Sequence, residues 1–213
     1  MLKDTGERVI PDKMKILNGL LLEHLARYHF AAEYVHGRVL DFASGSGYGT
    51  HIIAKLCKRK VNEVVGVDYD RDAIDYAKNK YYHPLSSFVE GDVTDPELPQ
   101  KLGTFDCILS FETIEHIHEE ERFLHNIYQL LNPGGTLILS TPFGEGRGKP
   151  SGQEFHVHQL TVDEFKDLFG IYQSTTFYYQ KGVLIEPESS AEGRAYPLGI
   201  AICKKHKNEL GER

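Results

Sequence analysis

Three acidic residues follow successive apolar segments of the chain, and the first of these segments leads into a glycine-rich turn. The turn lies within Val39–Gly49, with Asp41 near the end of its apolar part. Asp68 ends the next apolar segment, 21 residues after Gly47, and Asp92 follows the third. A glycine turn lets a ligand approach the backbone closely, and an acid about 20 residues further on can meet ribose hydroxyls. The spacing therefore predicts a cofactor that contains a ribose.

The order of the glycines and the position of the first acid distinguish two classes of cofactor. Nicotinamide and flavin enzymes seat a pyrophosphate on a Gly-x-Gly-x-x-Gly turn, whereas here the glycines fall as Gly45-x-Gly47-x-Gly49. The Asp41 carboxylate at the turn would repel a pyrophosphate and attract a cation. S-adenosyl-L-methionine carries an ammonium and a sulfonium and no phosphate, so these residues favour it over a dinucleotide.

The elements that must position these acids alternate between strand and helix. Strands that alternate with helices and read as continuous apolar runs predict a parallel sheet covered on both faces. We therefore expect an α/β fold with a single Rossmann-like, doubly wound sheet, mostly parallel with an antiparallel late strand, helices on both faces and an N-terminal cap helix. The expected strands are Arg38–Phe42, Asn62–Val67, Ser87–Glu90, Phe105–Ser110, Thr136–Ser140, Ile171–Tyr179 and Gly199–Lys204. The expected helices are Met14–Tyr34, Gly49–Leu56, Asp70–Lys80, Glu119–Leu131 and one capped by Thr161 and Glu164.

Length, charge and composition restrict the class of protein. The chain has 213 residues, a net charge of −7 and three cysteines. No apolar run reaches the ~18–20 residues that span a bilayer, residues 1–8 hold no signal-peptide core, and the cysteines are too few for a disulfide framework. We expect a cytoplasmic protein without a membrane partner, and the negative charge disfavours nucleic acid. One domain is expected over residues 1–213, with a cap helix (1–36), a cofactor-binding half (37–140) and an acceptor-side half (141–213).

The segment from about Arg38 to Phe169 resembles a class I S-adenosylmethionine-dependent methyltransferase. Five strings carry the resemblance: Val39–Gly49, Gly66-Val67-Asp68, Gly91-Asp92, Phe105-Asp106-Cys107-Ile108 and Leu130-Leu131-Asn132-Pro133-Gly134-Gly135. The last string is similar to the Leu-x-Pro-Gly-Gly turn that precedes the fifth strand of this family.

The resemblance implies a role for each residue around the cofactor. Asp41 and the backbone of Ala43 to Gly47, including Gly45, would hold the methionine moiety. Asp68 would bind the ribose, Tyr69 would lie against the adenine, Asp92 and Val93 would bind the adenine ring, and the Ser110 backbone would contact the methionine part. Ala43 departs from the family's commoner glycine, so a left-handed backbone there would alter the turn. Arg27 on the cap helix either pairs with the cofactor carboxylate or is an ordinary surface arginine.

Ionisable residues after the fourth strand lie where this family faces its methyl acceptor. If Phe111–His118 is helical, Glu112, Glu115 and His116 share one face, and His156 stands much later, before the capped helix. These residues supply a general base at His116 or His156, or bind a divalent metal that polarises an acceptor hydroxyl, or only cap helices and satisfy one another. Our expectation is that His116 and His156 are catalytic and that no metal is bound.

Two narrower resemblances bear on the acceptor. The Glu-x-x-Glu-His string is similar to that of small-RNA 3′-terminal 2′-O-methyltransferases, but Val162 stands where they have arginine. The same string resembles the ubiquinone-pathway O-methyltransferases. We expect methyl transfer to O or N of a small-molecule acceptor. The alternatives are a non-catalytic S-adenosylmethionine-binding module, metal-assisted 2′-O-methylation of RNA ends and, least favoured, a nicotinamide oxidoreductase. The oligomeric state stays open, with a homodimer among the options.

Overall fold

A computed structural model describes residues 2–3, 6, 8–191 and 194–207 of the chain. Its eight strands are β1 (Gly37–Phe42), β2 (Val61–Asp68), β3 (Ser86–Glu90), β4 (Phe105–Phe111), β5 (Leu131–Pro142), β6 (Ser174–Lys181), β7 (Leu184–Pro187) and β8 (Leu198–Lys204). Its six α-helices are α1 (Gly19–Ala31), α2 (Tyr48–Leu56), α3 (Arg71–Lys80), α4 (Leu98–Leu102), α5 (Glu120–Leu130) and α6 (Val162–Asp167). Residues 1, 4, 5, 7, 192, 193 and 208–213, which belong to the expected domain, lie outside the described residues.

The strands form one sheet in the order β3-β2-β1-β4-β5-β8-β6-β7. The first five strands in this order are parallel, whereas β8 runs antiparallel to both β5 and β6, and β7 antiparallel to β6. The expected Rossmann-like α/β class, with its parallel sheet and late antiparallel part, is confirmed. Strand β7 was not expected, because none of the expected strands covers residues 184–187.

Both faces of the sheet are covered, which explains why its strands read as continuous apolar runs. Leu40 and Phe42 of β1 belong to a core cluster on one face, together with Phe123 of α5 and Phe165 of α6. Val39, the neighbour of Leu40, belongs to a second cluster that includes residues of α1 and α2. Because successive side chains of a strand point to opposite faces, this alternation places helices on both sides of the sheet.

The N-terminal helix is shorter than its apolar period suggests. Helix α1 begins at Gly19 rather than near Met14, because the Asn18 side chain accepts a hydrogen bond from the Leu21 backbone N–H at 3.0 Å and so caps it. The expected cap of α6 is confirmed, with Thr161 and Glu164 bonded reciprocally as a capping box. Among the described residues no helix is both long enough and apolar enough to cross a membrane.

Two features of the topology define the functional edge of the sheet. Strand β1 pairs with both β2 and β4, so the strand order reverses there, and ligands of open α/β sheets bind beside the strand carboxyl ends at such a point. The long segment after β5 folds back over the same edge, where Gly144 N–H donates to Leu160 O at 2.9 Å and Val157 N–H to Glu115 O at 2.8 Å. The strand ends thus form the bottom of the site, and the segment after β5 forms one of its sides.

Candidate functional site

The glycine-rich turn after β1 has a left-handed backbone at three alternate positions. Ala43, Gly45 and Gly47 have φ values of 67°, 56° and 84°. Ala43 therefore adopts the left-handed backbone that the sequence left open, which is unfavourable for alanine. The Ser44 N–H donates to Val67 O at 2.8 Å, which ties the turn to β2. A Cβ on Gly47 would lie 2.5 Å from the Ala77 side chain, so the first turn of α2 sits against α3 only with glycine there.

Asp41 is a buried acid beneath this turn. Its Oδ2 accepts a hydrogen bond from the Thr50 hydroxyl at 2.7 Å, and its Oδ1 accepts one from the Tyr28 hydroxyl at 3.1 Å. Burial raises the pKa of Asp41 to about 6, although both hydroxyls stabilise its charged form. A buried carboxylate with neutral donors carries an uncompensated negative charge near neutral pH, and a cationic ligand would relieve that cost.

Asp68 at the end of β2 holds the turn through its side chain. Its Oδ2 accepts from the Gly45 N–H at 2.8 Å and its Oδ1 from the Asp70 N–H at 3.0 Å. The side chain is largely buried, and this burial raises its pKa. Each carboxylate oxygen has a second lone pair beyond these backbone bonds, which suits the bidentate contact with ribose hydroxyls that its position predicts.

The predicted adenine side is built at the ends of β2 and β3. Asp92 Oδ1 accepts from the Thr94 N–H at 2.8 Å and from its hydroxyl at 2.7 Å. The Asn126 amide donates to Val93 O at 2.9 Å and so fixes this strand end to α5. Tyr69, by contrast, is 74% exposed. Its ring is therefore accessible to a ligand but is not packed in place by the protein.

Ser110 lies at the carboxyl end of β4, which pairs with β1 at the switch point, the place where the strand order reverses. Its side chain is fully buried, and its Oγ has no hydrogen-bond partner among the described residues. Buried hydroxyls are normally hydrogen-bonded. An unsatisfied one beside the glycine turn fits a ligand that brings polar groups to this edge. Together with the buried Asp41, it is the structural observation that fits the predicted cofactor.

Arg27 is only 1% exposed, so the alternative of an ordinary surface arginine is wrong. Its Nη1 donates to Gln180 Oε1 at 2.8 Å, and its Nη2 forms an ion pair with Glu112. Burial lowers the pKa of Arg27 to about 10, which leaves it charged at neutral pH. His24 Nε2 lies 3.1 Å from the same Glu112 carboxylate, and burial holds the pKa of His24 well below its usual value. Neither Glu112 nor Gln180 was expected to bind Arg27, because both are distant from it in sequence: Glu112 follows β4, and Gln180 lies on β6.

The expected shared face of Glu112, Glu115 and His116 is wrong. Glu112 has a left-handed backbone (φ 49°), and only Ile114–His116 form a helical turn, of the 3-10 type. Glu112 therefore points toward Arg27, whereas Glu115 and His116 turn toward His156. The sequence offers no signal for this separation, since it depends on a single strained residue.

Glu115, His116 and His156 come together beside the long loop. Glu115 is buried and its Oε2 accepts from the Thr141 hydroxyl at 2.9 Å. The His116 and His156 rings meet edge to face, with centroids 4.8 Å apart, and His116 Nδ1 lies 3.0 Å from Phe155 O. One ligand atom from each of the three residues falls within 4.8 Å of the others, so the group could also hold a metal ion. The loop after β5 thus brings His156 to Glu115 and His116, so the titratable cluster combines two distant parts of the chain.

Fold and site together define an α/β protein with three features at the carboxyl edge of its sheet: the buried Asp41, Asp68 at the position predicted to bind a ribose, and the cluster of Glu115, His116 and His156. Comparisons with known proteins agree. Residues 40–139 match the model of a methyltransferase domain family. A probable S-adenosylmethionine-dependent methyltransferase of Mycolicibacterium smegmatis is 31% identical over 77% of this chain and 62% of its own length. A ubiquinone biosynthesis O-methyltransferase of Rhizobium etli is 29% identical over 62% of this chain and 52% of its own.

A solved structure shows the same fold. A SAM-dependent methyltransferase from Archaeoglobus fulgidus superposes with a TM-score of 0.62 and 16% identity, over 88% of this chain and 95% of that one. The methyltransferase domain at residues 40–139 is of the class I S-adenosylmethionine-dependent type, whose cofactor is S-adenosylmethionine. The chain spans less than two thirds of the length of the two curated relatives above.

Proposed function

We propose that the protein transfers the methyl group of S-adenosylmethionine to an oxygen or nitrogen atom of a small-molecule acceptor. The single observation that carries the proposal is Asp41, a buried carboxylate at the switch point with only neutral donors around it. Such a charge is costly unless a cation faces it, and the cofactor brings two cationic centres. The relative named as a ubiquinone biosynthesis O-methyltransferase supports oxygen as the acceptor atom.

Different residues would hold the methionine, ribose and adenine parts of the cofactor. Asp41 and the backbone of Ala43, Gly45 and Gly47 would hold the methionine moiety, with Ser110 beside them. Asp68 would hold the ribose, and Tyr69, Asp92 and Val93 the adenine. Arg27 would pair with the cofactor carboxylate once Glu112 releases it.

The chemistry needs little more than alignment and, for some acceptors, a base. When bound, the cofactor supplies an electrophilic methyl group on a positively charged sulfur. Holding the acceptor in line with that group removes most of the entropic cost of the displacement. His116 Nδ1–H donates to Phe155 O, which leaves the lone pair of the neutral ring on Nε2. His116 or His156 would then accept the proton that the acceptor hydroxyl or amine loses as its bond to the methyl carbon forms.

A metal-assisted variant of this reaction is the second candidate. It is favoured by the close approach of Glu115, His116 and His156, whose ligand atoms lie within 4.8 Å of one another. A divalent cation there would polarise an acceptor hydroxyl and so replace a histidine as the activating group. Activity that persists unchanged after chelation supports the base, and activity that is lost and then restored by a divalent cation supports the metal.

Isothermal titration tests the cofactor half of the proposal. Wild-type protein should bind S-adenosylmethionine, and Asp68→Ala should weaken binding by about 1–3 kcal/mol, the cost of losing a buried polar partner. Asp75→Ala, an exposed acid on α3, is the matched control and should leave affinity unchanged. Equal affinities for the wild type and Asp68→Ala would contradict the assigned ribose contact, and absence of binding to all three would contradict the function.

We further propose that the chain is one methyltransferase domain, in which residues 37–140 bind the cofactor and residues 141–213 select the acceptor. Its proposed location is the cytoplasm, since Cys57, Cys107 and Cys203 are all buried free thiols. A structure with bound cofactor product and acceptor would test the division directly. Contacts of the acceptor with the 37–140 half alone would refute it.

A further inference from the structure

A cavity of about 420 Å³ lies at the functional edge of the sheet, beyond the residues assigned above to the cofactor. Three aromatic side chains form much of its wall: Phe143 directly after β5, Tyr179 on β6, and Tyr196 shortly before β8. The Tyr179 and Tyr196 rings lie 5.7 Å apart at 30°, and the Phe143 and Tyr179 rings 6.0 Å apart. The volume falls within the range of ~300–1,000 Å³ that small-molecule sites occupy.

The aromatic wall is anchored in the core. Phe143 packs edge to face on Phe165, which is fully buried, with ring centroids 5.5 Å apart. A Cβ on Gly199 would lie 2.4 Å from the Phe143 ring and 2.9 Å from the Phe165 ring. The wall therefore keeps its shape because glycine at 199 leaves room for both rings. A site whose rings are held this way is pre-formed, which lowers the entropic cost of binding.

The charged groups of the described wall are already compensated. Glu188 forms an ion pair with Lys166 and accepts from the Tyr179 hydroxyl at 3.2 Å. Arg194 forms an ion pair with Glu186 at 3.3 Å, and Glu186 also accepts from the Tyr196 hydroxyl. A charged ligand would have to break one of these pairs or remain unpaired in an aromatic pocket. The wall thus favours an uncharged ligand that stacks on rings.

Phe143 connects the wall of the cavity to the segments that form the titratable cluster. Phe143 stands two residues after Thr141, whose hydroxyl donates to Glu115. Phe143 also forms a β-bridge with Leu160, at the end of the loop that carries His156. A molecule bound against Phe143 therefore lies next to the chain segments that bring Glu115, His116 and His156 together.

We propose that this cavity binds the body of the methyl acceptor, and that the acceptor is an uncharged, ring-bearing molecule whose hydroxyl or amine extends toward the histidine cluster. The proposal rests on the methyltransferase function proposed above and gives that function an acceptor class. Tyr179 and Tyr196 supply the stacking surface, and the ion pairs of Glu188 with Lys166 and of Glu186 with Arg194 leave these charges already compensated.

The sequence contains no tryptophan, so one introduced residue reports on the cavity alone. In Tyr196→Trp, quenching of the single tryptophan measures the binding of three probes that share a nitrophenyl ring and carry no charge, a negative charge or a positive charge: 4-nitrobenzyl alcohol, 4-nitrobenzoate and 4-nitrobenzylamine. We expect saturable quenching by the alcohol, with a Kd at least tenfold lower than for either charged probe. Equal or tighter binding of a charged probe would overturn the proposal.

Second substitutions in the same background locate the bound ring. Tyr179→Ala should weaken the alcohol at least tenfold, whereas Tyr82→Ala, an exposed tyrosine away from the cavity, should leave its Kd unchanged. Because Tyr179 is buried, Val162→Glu provides a test with less risk to folding. Val162 lines the cavity, is 38% exposed and begins α6, where an acid suits the helix. This variant should lose affinity for the alcohol and gain it for the amine, and unchanged preferences would refute the assignment.

Titration of the same reporter with S-adenosylmethionine separates this proposal from the function on which it rests. Cofactor binding without saturable binding of the alcohol refutes the acceptor pocket alone. Loss of cofactor binding in the wild-type chain refutes the proposed function itself.

Discussion

Lowering the pH from 8 to 5 should weaken cofactor binding about tenfold through the protonation of Asp41. Burial raises the pKa of this carboxyl to about 6, and the Tyr28 and Thr50 hydroxyls only partly oppose that rise. At pH 5 about one tenth of the protein then has an ionised Asp41, against nearly all of it at pH 8. If the cationic cofactor binds the ionised form, the loss in affinity corresponds to about 1.4 kcal/mol.

The assay is isothermal titration at pH 5 and pH 8 in buffers of different ionisation enthalpy. Binding at pH 5 should release a number of protons that approaches one per cofactor, because the bound cation keeps Asp41 ionised. Asp41→Asn cannot release this proton, so its affinity should be weaker at pH 8 and should lack the tenfold difference. The same pH dependence in the wild type and in Asp41→Asn would refute the placement of the cation beside Asp41.

Stability gives an independent measure of the same group. An acid whose pKa rises on folding binds more protons in the folded state between the two pKa values, so its contribution to stability falls as the pH rises through that window. For Asp41 the window runs from about pH 4 to pH 6, and the loss is about 3 kcal/mol. The difference in unfolding free energy between Asp41→Asn and the wild type should therefore grow by this amount between pH 4 and pH 8, as measured by denaturant titration. A constant difference would show that Asp41 is not buried as a charge.

Three further perturbations have defined outcomes. Gly49→Ala should cost about 1–3 kcal/mol of stability and displace Tyr28 from Asp41, because the added Cβ would lie 1.9 Å from the Tyr28 ring; a melting temperature equal to the wild type would contradict that contact. Thr141→Val removes the hydroxyl donor to Glu115 and should lower kcat more than cofactor affinity, as steady-state kinetics and titration would show; unchanged kcat would show that this hydrogen bond does not position the histidine cluster. Treatment with chelator should leave activity unchanged if a histidine is the base, and loss that added divalent cation restores would assign the cluster to a metal.

Much of the fold was predictable because its signals are local. Apolar runs such as Val39–Phe42 and Val64–Val67 are long enough to identify buried parallel strands, and their order predicted the carboxyl edge where the acids lie. The same logic identified Asp41 and Asp68, whose burial beside the glycine turn the structure shows. Their contacts with the cofactor remain predictions.

The remainder depended on contacts between distant segments. Gln180 meets Arg27 across 153 residues, and no local pattern marks either as a buried partner of the other. Glu112 leaves the predicted shared face through one left-handed residue, which periodicity cannot reveal. The aromatic cavity likewise combines Phe143, Tyr179 and Tyr196 from three separate segments.

Transfer of labelled methyl from S-adenosylmethionine to an acceptor tests the central claim most directly. The wild type, incubated with the labelled cofactor and a pool of small metabolites, should produce a labelled product and S-adenosylhomocysteine in equal amounts. Asp68→Ala should lower the yield at limiting cofactor, and Asp75→Ala should not. Firm cofactor binding without labelled product from the wild type would contradict the account and would indicate a binding module instead of an enzyme.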